Sequence, residues 1–237
     1  MVFLPGHGAT GHVFAHQVQA LALDRLVSLV LPQGAARVEE IAQRILPCLP
    51  PRVALVGHGL GGAVALEIQR QLPARVTRIA LIAAAPFAET PTEAAAREAR
   101  MIALRAGRIA DWVTREFPAG AISEVAERGR LGAVLSGMAE VLGAETLLAQ
   151  SRAMQRRPDQ QAVLRRCLAP ILVLGGTEDP LIRARRLEVT AGLAPVGELC
   201  LIPGTGHFPM LEAPQLVAEA LRDFMARSLI LRRRAAD

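Results

Sequence analysis

The chain has 237 residues, 51% of them apolar and 21% charged, with a net charge of +5. That length suits one large domain or one core with an insertion, and the composition excludes a disordered or low-complexity chain. The isoelectric point near 10.6 does not indicate nucleic-acid binding, because the charge excess is small and no aromatic residues interleave the pairs Arg156-Arg157, Arg165-Arg166 and Arg185-Arg186.

In chain order, short apolar runs alternate with helical periodicities. The first strand is predicted over 2–5 (VFLP), and Met1 runs into it with no basic segment or cleavage site, so no signal peptide is expected. A helix over 12–22 follows. It carries His12 and His16 at the i, i+4 spacing of a metal pair, but no HExxH glutamate and no third ligand accompany them, so no metal is expected. Strand 26–31 (LVSLVL) and helix 36–47 come next, then strand 53–57 (VALVG), a glycine-rich turn and helix 60–73. Strand 78–84 (RIALIAA) overlaps the longest apolar run, Ile79 to Ala88, which is too short to cross a bilayer.

Residues 88–168 break the rhythm with helical patterns and no good strand. Thr90-Pro91-Thr92 offer a helix start, and Pro118-Ala119-Gly120 offer a break. An all-helical insertion at one end of a sheet is a natural lid. Trp112, Phe117, Met138, Leu147 and Met154 are the residues there that either face a pocket or pack helix on helix. Strand 170–175 (PILVLG), helix 182–193, strand 197–202 (GELCLI) and helix 213–228 complete the pattern, with Arg232-Arg233-Arg234 read as a solvated tail. Cys48, Cys167 and Cys200 are odd in number and lack C-x-x-C spacing, so they read as free thiols of a reducing cytoplasm. The whole predicts an α/β fold whose parallel sheet is covered on both faces, with a core of 1–87 and 169–237 and a helical cap of 88–168.

Chemistry-bearing motifs fall at the C-terminal ends of predicted strands, where open parallel sheets place their sites. They are LPGHGATG (4–11), GHGLGG (57–62), GTEDP (176–180) and GTGHF (204–208). The first two also satisfy G-x-G-x-x-G, the fingerprint of a dinucleotide site. Such a site needs an acid near the end of the following strand to hold the ribose. The candidate ends, Ile82-Ala83-Ala84-Ala85-Pro86 and Leu31-Pro32-Gln33, offer none, and the reading leaves Asp179 and His207 unexplained. No cofactor is expected.

Taken together and in this order, the motifs resemble the α/β-hydrolase superfamily. The likeness is to the small esterase and lactonase group around the pimeloyl-carrier-protein methyl esterases and 3-oxoadipate enol-lactonases, and it covers roughly residues 1–228. It implies an α/β-hydrolase fold: a mostly parallel six-stranded sheet with helices on both faces and a helical lid. No leading β-hairpin precedes the first strand, so the order expected is 2-1-3-4-5-6, with 26–31 at an edge. The resemblance further implies His207 as general base, oriented by Asp179, and an oxyanion hole made by the backbone N–H groups of His7 and Leu60. His58 is read as structural and, with Trp112, Met138 and Phe208, as lining the substrate pocket.

One position departs from the pattern. Gly59 stands where G-x-S-x-G places the nucleophile, and Ser28, Ser123, Ser136, Ser151 and Ser228 are not on that turn. Three readings follow: a carboxylic-ester or lactone hydrolase for a small apolar acyl substrate whose serine has been replaced; a non-catalytic homologue, similar to the N-myc downstream-regulated family; or His/Asp chemistry on water or substrate, as in the cofactor-free oxygenases of this fold. The partner expected is a small-molecule ester or lactone, with no nucleic acid and no membrane, and a homodimer is left open.

Overall fold

The structure, a computed structural model, describes residues 1–227; Ser228, the Arg232-Arg233-Arg234 tail and the last residue of the helix expected over 213–228 lie outside the described residues. The apolar runs form six parallel strands: β1 Val2–Leu4, β2 Ser28–Leu29, β3 Val53–His58, β4 Val76–Ile82, β5 Ile171–Gly176 and β6 Gly197–Ile202. Their order is β2-β1-β3-β4-β5-β6. The central strands read as nearly continuous apolar runs because helices cover both faces. Alternate residues divide cleanly: Leu4, Leu55, Leu81 and Val173 enter one apolar cluster, while Phe3, Val56, Ile82 and Leu174 enter the other. The edge strand β2 pairs through only two residues, both exposed, against the six expected. At that edge no second neighbour rewards extending the ladder.

The first cluster is covered by α2 Val38–Ile45, α3 Leu60–Gln71 and α8 Ala184–Leu193, and the second by α1 Ala15–Leu21, the short α9 Pro209–Glu212 and α10 Pro214–Ala226. The helix expected over 12–22 is a 3-10 turn, Gly11–Phe14, joined to α1. His12 and His16 therefore do not share one continuous α-helix. Among the described residues no group of three or more His, Cys, Asp or Glu is placed to hold a metal.

Between β4 and β5 the chain is helical: α4 Pro91–Arg105, α5 Ile109–Glu116, α6 Arg128–Gln155 and α7 Gln161–Arg166. Thr90 caps α4 in a reciprocal capping box with Glu93. Val125–Gln155 is long and apolar enough to cross a membrane by length and composition. Gly143, at φ 74° and ψ 159°, breaks it inside α6, and because 125–127 form a 3-10 turn the continuous α-helical pieces, 128–142 and 144–155, are each shorter than the roughly 20 residues a span needs. Short α7 packs against α3 and α8 and so belongs spatially with the core helices.

Register positions the site. Leu4 pairs with Gly57, His58 with Ile82, Ile82 with Leu174, and Gly176 with Ile202. The strand ends are thus level, and the segments after β1, β3, β4, β5 and β6 emerge at one rim of the sheet.

Candidate active site

At this rim β3 turns sharply into α3 at Gly59, whose φ of 48° and ψ of −112° lie where L-residues are strained and glycine is not. The turn is tight because α3 presses on β1: a Cβ on Gly61 would sit 1.9 Å from the Leu4 carbonyl oxygen. The glycines that mimic a dinucleotide fingerprint are accounted for by this packing. Above Gly59 the situation is reversed. A Cβ there would meet nothing nearer than the Gly6 Cα, at 3.9 Å.

His207 and Asp179, 28 residues apart, meet beside this turn, with His207 Nδ1 2.8 Å from Asp179 Oδ2. The second oxygen of Asp179 accepts the N–H groups of Leu181 at 2.8 Å and Ile182 at 3.1 Å. Burial alone would raise the Asp179 pKa; the His207 ring and these N–H donors outweigh it and hold the carboxyl below its usual value. An ionised Asp179 accepts from Nδ1–H, which leaves His207 Nε2 as the ring's basic atom.

The loop carrying His207 is fixed from two sides. Its backbone N–H donates to Ala121 O at 2.8 Å. The Glu212 carboxylate gathers the N–H groups of Gly206 at 3.0 Å, Phe208 at 3.2 Å and Ser123 at 2.8 Å. His58 Nε2 lies 3.2 Å from His207 O. Complete burial lowers the His58 pKa to about 3, assisted by the neighbouring His207. His58 is therefore a neutral ring donating from Nε2, and its buried Nδ1 has no partner among the described residues.

Opposite stands the loop after β1. The backbone N–H groups of His7 and Leu60 make no hydrogen bond to another described residue, and Leu60 opens α3, where the first N–H groups lack intrahelical acceptors. The insertion clamps this loop. Gly8 N–H donates to Gln150 Oε1 at 3.0 Å, Gln150 Nε2 donates to Pro32 O at 2.9 Å, and Ser151 Oγ lies 3.0 Å from His7 Nε2.

His7, His58, Gly59, Leu60 and His207 share the wall of one cavity of about 390 Å³. Three residues expected in that wall are not in it. Trp112 and Phe208 are completely buried behind it, Trp112 against His7 and Phe117, and Phe208 against His58, His207 and Phe117. Met138 packs in the apolar cluster beneath the insertion. Phe117 and Met154 do line the cavity. Each displaced residue is large and apolar enough to be better satisfied by neighbouring helices than by a solvent-filled space.

The expected apolar lining is also corrected. The cavity wall carries five arginines and three glutamates, all from the insertion except Arg186 on α8. Arg97 bridges Glu89 at 2.6 Å and Glu116 at 2.7 Å, Arg100 holds Glu116 at 2.6 Å, and Arg157 holds Glu89 at 3.0 Å. Burial opposes ionisation of Glu116, but His7, Arg97 and Arg100 overcome it and keep its pKa well below the usual carboxylate range. Scattered positions on the segment before α4, on α4 and α5, and on the segment after α6 supply this network, with no motif that spacing would reveal. Gln150 and Glu212 likewise act through backbone groups and leave no sequence signature.

The profile of the Alpha/beta hydrolase family matches residues 1–220. A pimeloyl-[acyl-carrier protein] methyl ester esterase of Xanthomonas campestris pv. campestris is 28% identical over 244 residues, spanning 95% of this chain and 94% of that protein. The corresponding esterase of Aromatoleum aromaticum is 27% identical, spanning 93% of this chain and 84% of that protein. Among solved structures, a thermophilic esterase from Thermogutta terrifontis superposes with a TM-score of 0.84 at 20% identity, covering 94% of this chain and 88% of its own. An enol-lactonase from Burkholderia xenovorans superposes at 0.83 with 16% identity, covering 95% and 91%.

Proposed function

The chain belongs to the alpha/beta hydrolase family, and on that premise we propose that it hydrolyses small carboxylic esters or lactones by direct attack of water, with His207 as the base. The observation that carries the reading is the buried His207–Asp179 pair at 2.8 Å sharing a cavity with an unobstructed Gly59. A base so oriented has no work in a fold that has abandoned chemistry, and Gly59 provides no hydroxyl to acylate.

In the proposed reaction water occupies the space above Gly59 and attacks the acyl carbon while His207 Nε2 takes its proton. The negative oxygen of the tetrahedral intermediate is received by the N–H groups of His7 and Leu60. The carbon–oxygen bond to the leaving alcohol then breaks, and His207 returns the proton to the departing oxygen. Acid and alcohol are released with no acyl-enzyme. Asp179 stays ionised and stabilises the imidazolium. The relatives' ester-hydrolysing activity supports the substrate class.

The test compares the parent, His207→Ala and Gly59→Ser at matched concentration on a short-chain activated ester. The parent should turn over the ester, and His207→Ala should lose about 10²-fold or more of that rate, the usual contribution of a positioned base. Gly59→Ser should gain at least about a hundredfold, short of a full triad's contribution. A silent parent rescued by Gly59→Ser would overturn direct water attack in favour of a lost-serine esterase. Silence in all three folded proteins would mark a non-catalytic module.

A further inference from the structure

The acids of the charged wall are consumed, and three of its arginines keep free donors. Glu89 binds Arg97 and Arg157, Glu116 binds Arg97, Arg100 and His7, and Glu93 binds Arg186 at 3.2 Å besides capping α4. A guanidinium has five N–H donors. Arg100 uses Nε alone on Glu116, Arg186 uses Nη1 alone on Glu93, and Arg115 has no acidic partner among the described residues. With five arginines against three glutamates, the wall carries two uncompensated positive charges facing a half-enclosed space. Free guanidinium N–H groups give charge-assisted hydrogen bonds to an oxyanion, in a fork geometry that suits carboxylate and phosphate.

We propose that Arg100, Arg115 and Arg186 form an anion subsite, so that the substrate carries an oxyanion group, carboxylate or phosphate, on the part remote from the scissile ester. The inference rests on reading this cavity as an ester site, but the charge of the wall stands whether or not Gly59 permits turnover. The cavity wall thereby selects charged acyl groups over the apolar ones that the cap's overall composition suggests.

Binding is therefore measured without turnover, by calorimetric titration of the folded protein with glutarate, dimethyl glutarate and inorganic phosphate at physiological ionic strength. Glutarate or phosphate should bind at least about tenfold more tightly than the neutral diester, and the tighter of the two identifies the group. Arg115→Gln, an exposed change that threatens no packing, should weaken the anion about fivefold or more. Arg100→Gln should do the same, and Arg44→Gln on α2, outside the cavity, should not. Equal affinity for glutarate and dimethyl glutarate overturns the proposal, as does an Arg44→Gln effect equal to that of Arg115→Gln, which would indicate diffuse attraction only. Anion binding without turnover of any ester leaves the subsite standing and removes the hydrolase reading. Turnover of neutral esters with no anion preference does the reverse.

Discussion

Position 59 separates steric from conformational cost. A serine Cβ there meets no atom closer than 3.9 Å, so Gly59→Ser should be destabilising only through its positive φ, by about 1–2 kcal/mol in urea unfolding. A loss above about 4 kcal/mol would mean that the open space above the turn is not there. His58 provides a pH test at the neighbouring residue. Its folded pKa, about 3, lies below the ordinary 6.5, so between those values the unfolded chain binds a proton that the folded chain refuses. Stability must then fall as pH drops through that window, by about 1.4 kcal/mol per unit. His58→Gln keeps an N–H donor for His207 O but does not titrate. Between pH 7 and pH 4 the parent should lose up to about 3 kcal/mol more than this variant. Parallel pH slopes for the two would show that His58 is not held neutral.

At the scale of elements, the second half of α6 and the loop after β1 are joined by one side chain. Gln150 is fully buried and satisfies both Gly8 N–H and Pro32 O. Gln150→Ala leaves two buried backbone groups without partners, at about 1–3 kcal/mol each, and should lower stability by about 2–4 kcal/mol. Hydrogen exchange at the Gly8 amide should quicken in the same variant; unchanged exchange there would show that the loop does not depend on α6. The strand order was available only through the resemblance to the α/β-hydrolase superfamily, whereas Asp179 and His207 were legible in the sequence itself, because G-x-x-D-P and G-x-G-H each close an apolar run. The clamp was not, since a glutamine that bonds only to main chain resembles any polar helix residue. The break at Gly143 was hidden for a related reason: glycine inside a helical pattern is tolerated more often than it breaks the helix. The charged wall was illegible because Arg97, Arg100 and Arg115 read as an ordinary solvated face until the fold brings Glu89, Glu116 and Arg157 against them.

Taken as a whole, the molecule has an insertion that is continuous in sequence but does not have a core of its own. Trp112, Leu131, Leu135, Met138 and Leu147 belong to the same apolar cluster as Phe3, Phe14, Val56 and Leu174 of the sheet side. Polar ties reinforce that union, with Ala121 O accepting from His207 N–H and Gln150 bonded across to Pro32. Elements that share a buried cluster lose its burial together, so core and insertion should unfold in one cooperative step. The single tryptophan makes this measurable, because Trp112 sits in α5 within the insertion and is completely buried. Its fluorescence reports the insertion, while far-UV circular dichroism reports the helices and strands of the entire chain. The two probes should give the same urea midpoint. Met138→Ala, which empties part of the shared cluster, should cost about 2–5 kcal/mol and move both midpoints by the same amount. A fluorescence transition at lower urea than the dichroism transition would show an insertion that detaches while the sheet persists. In that case the clamp on the loop after β1, and with it the N–H group of His7, would be released before the core unfolds.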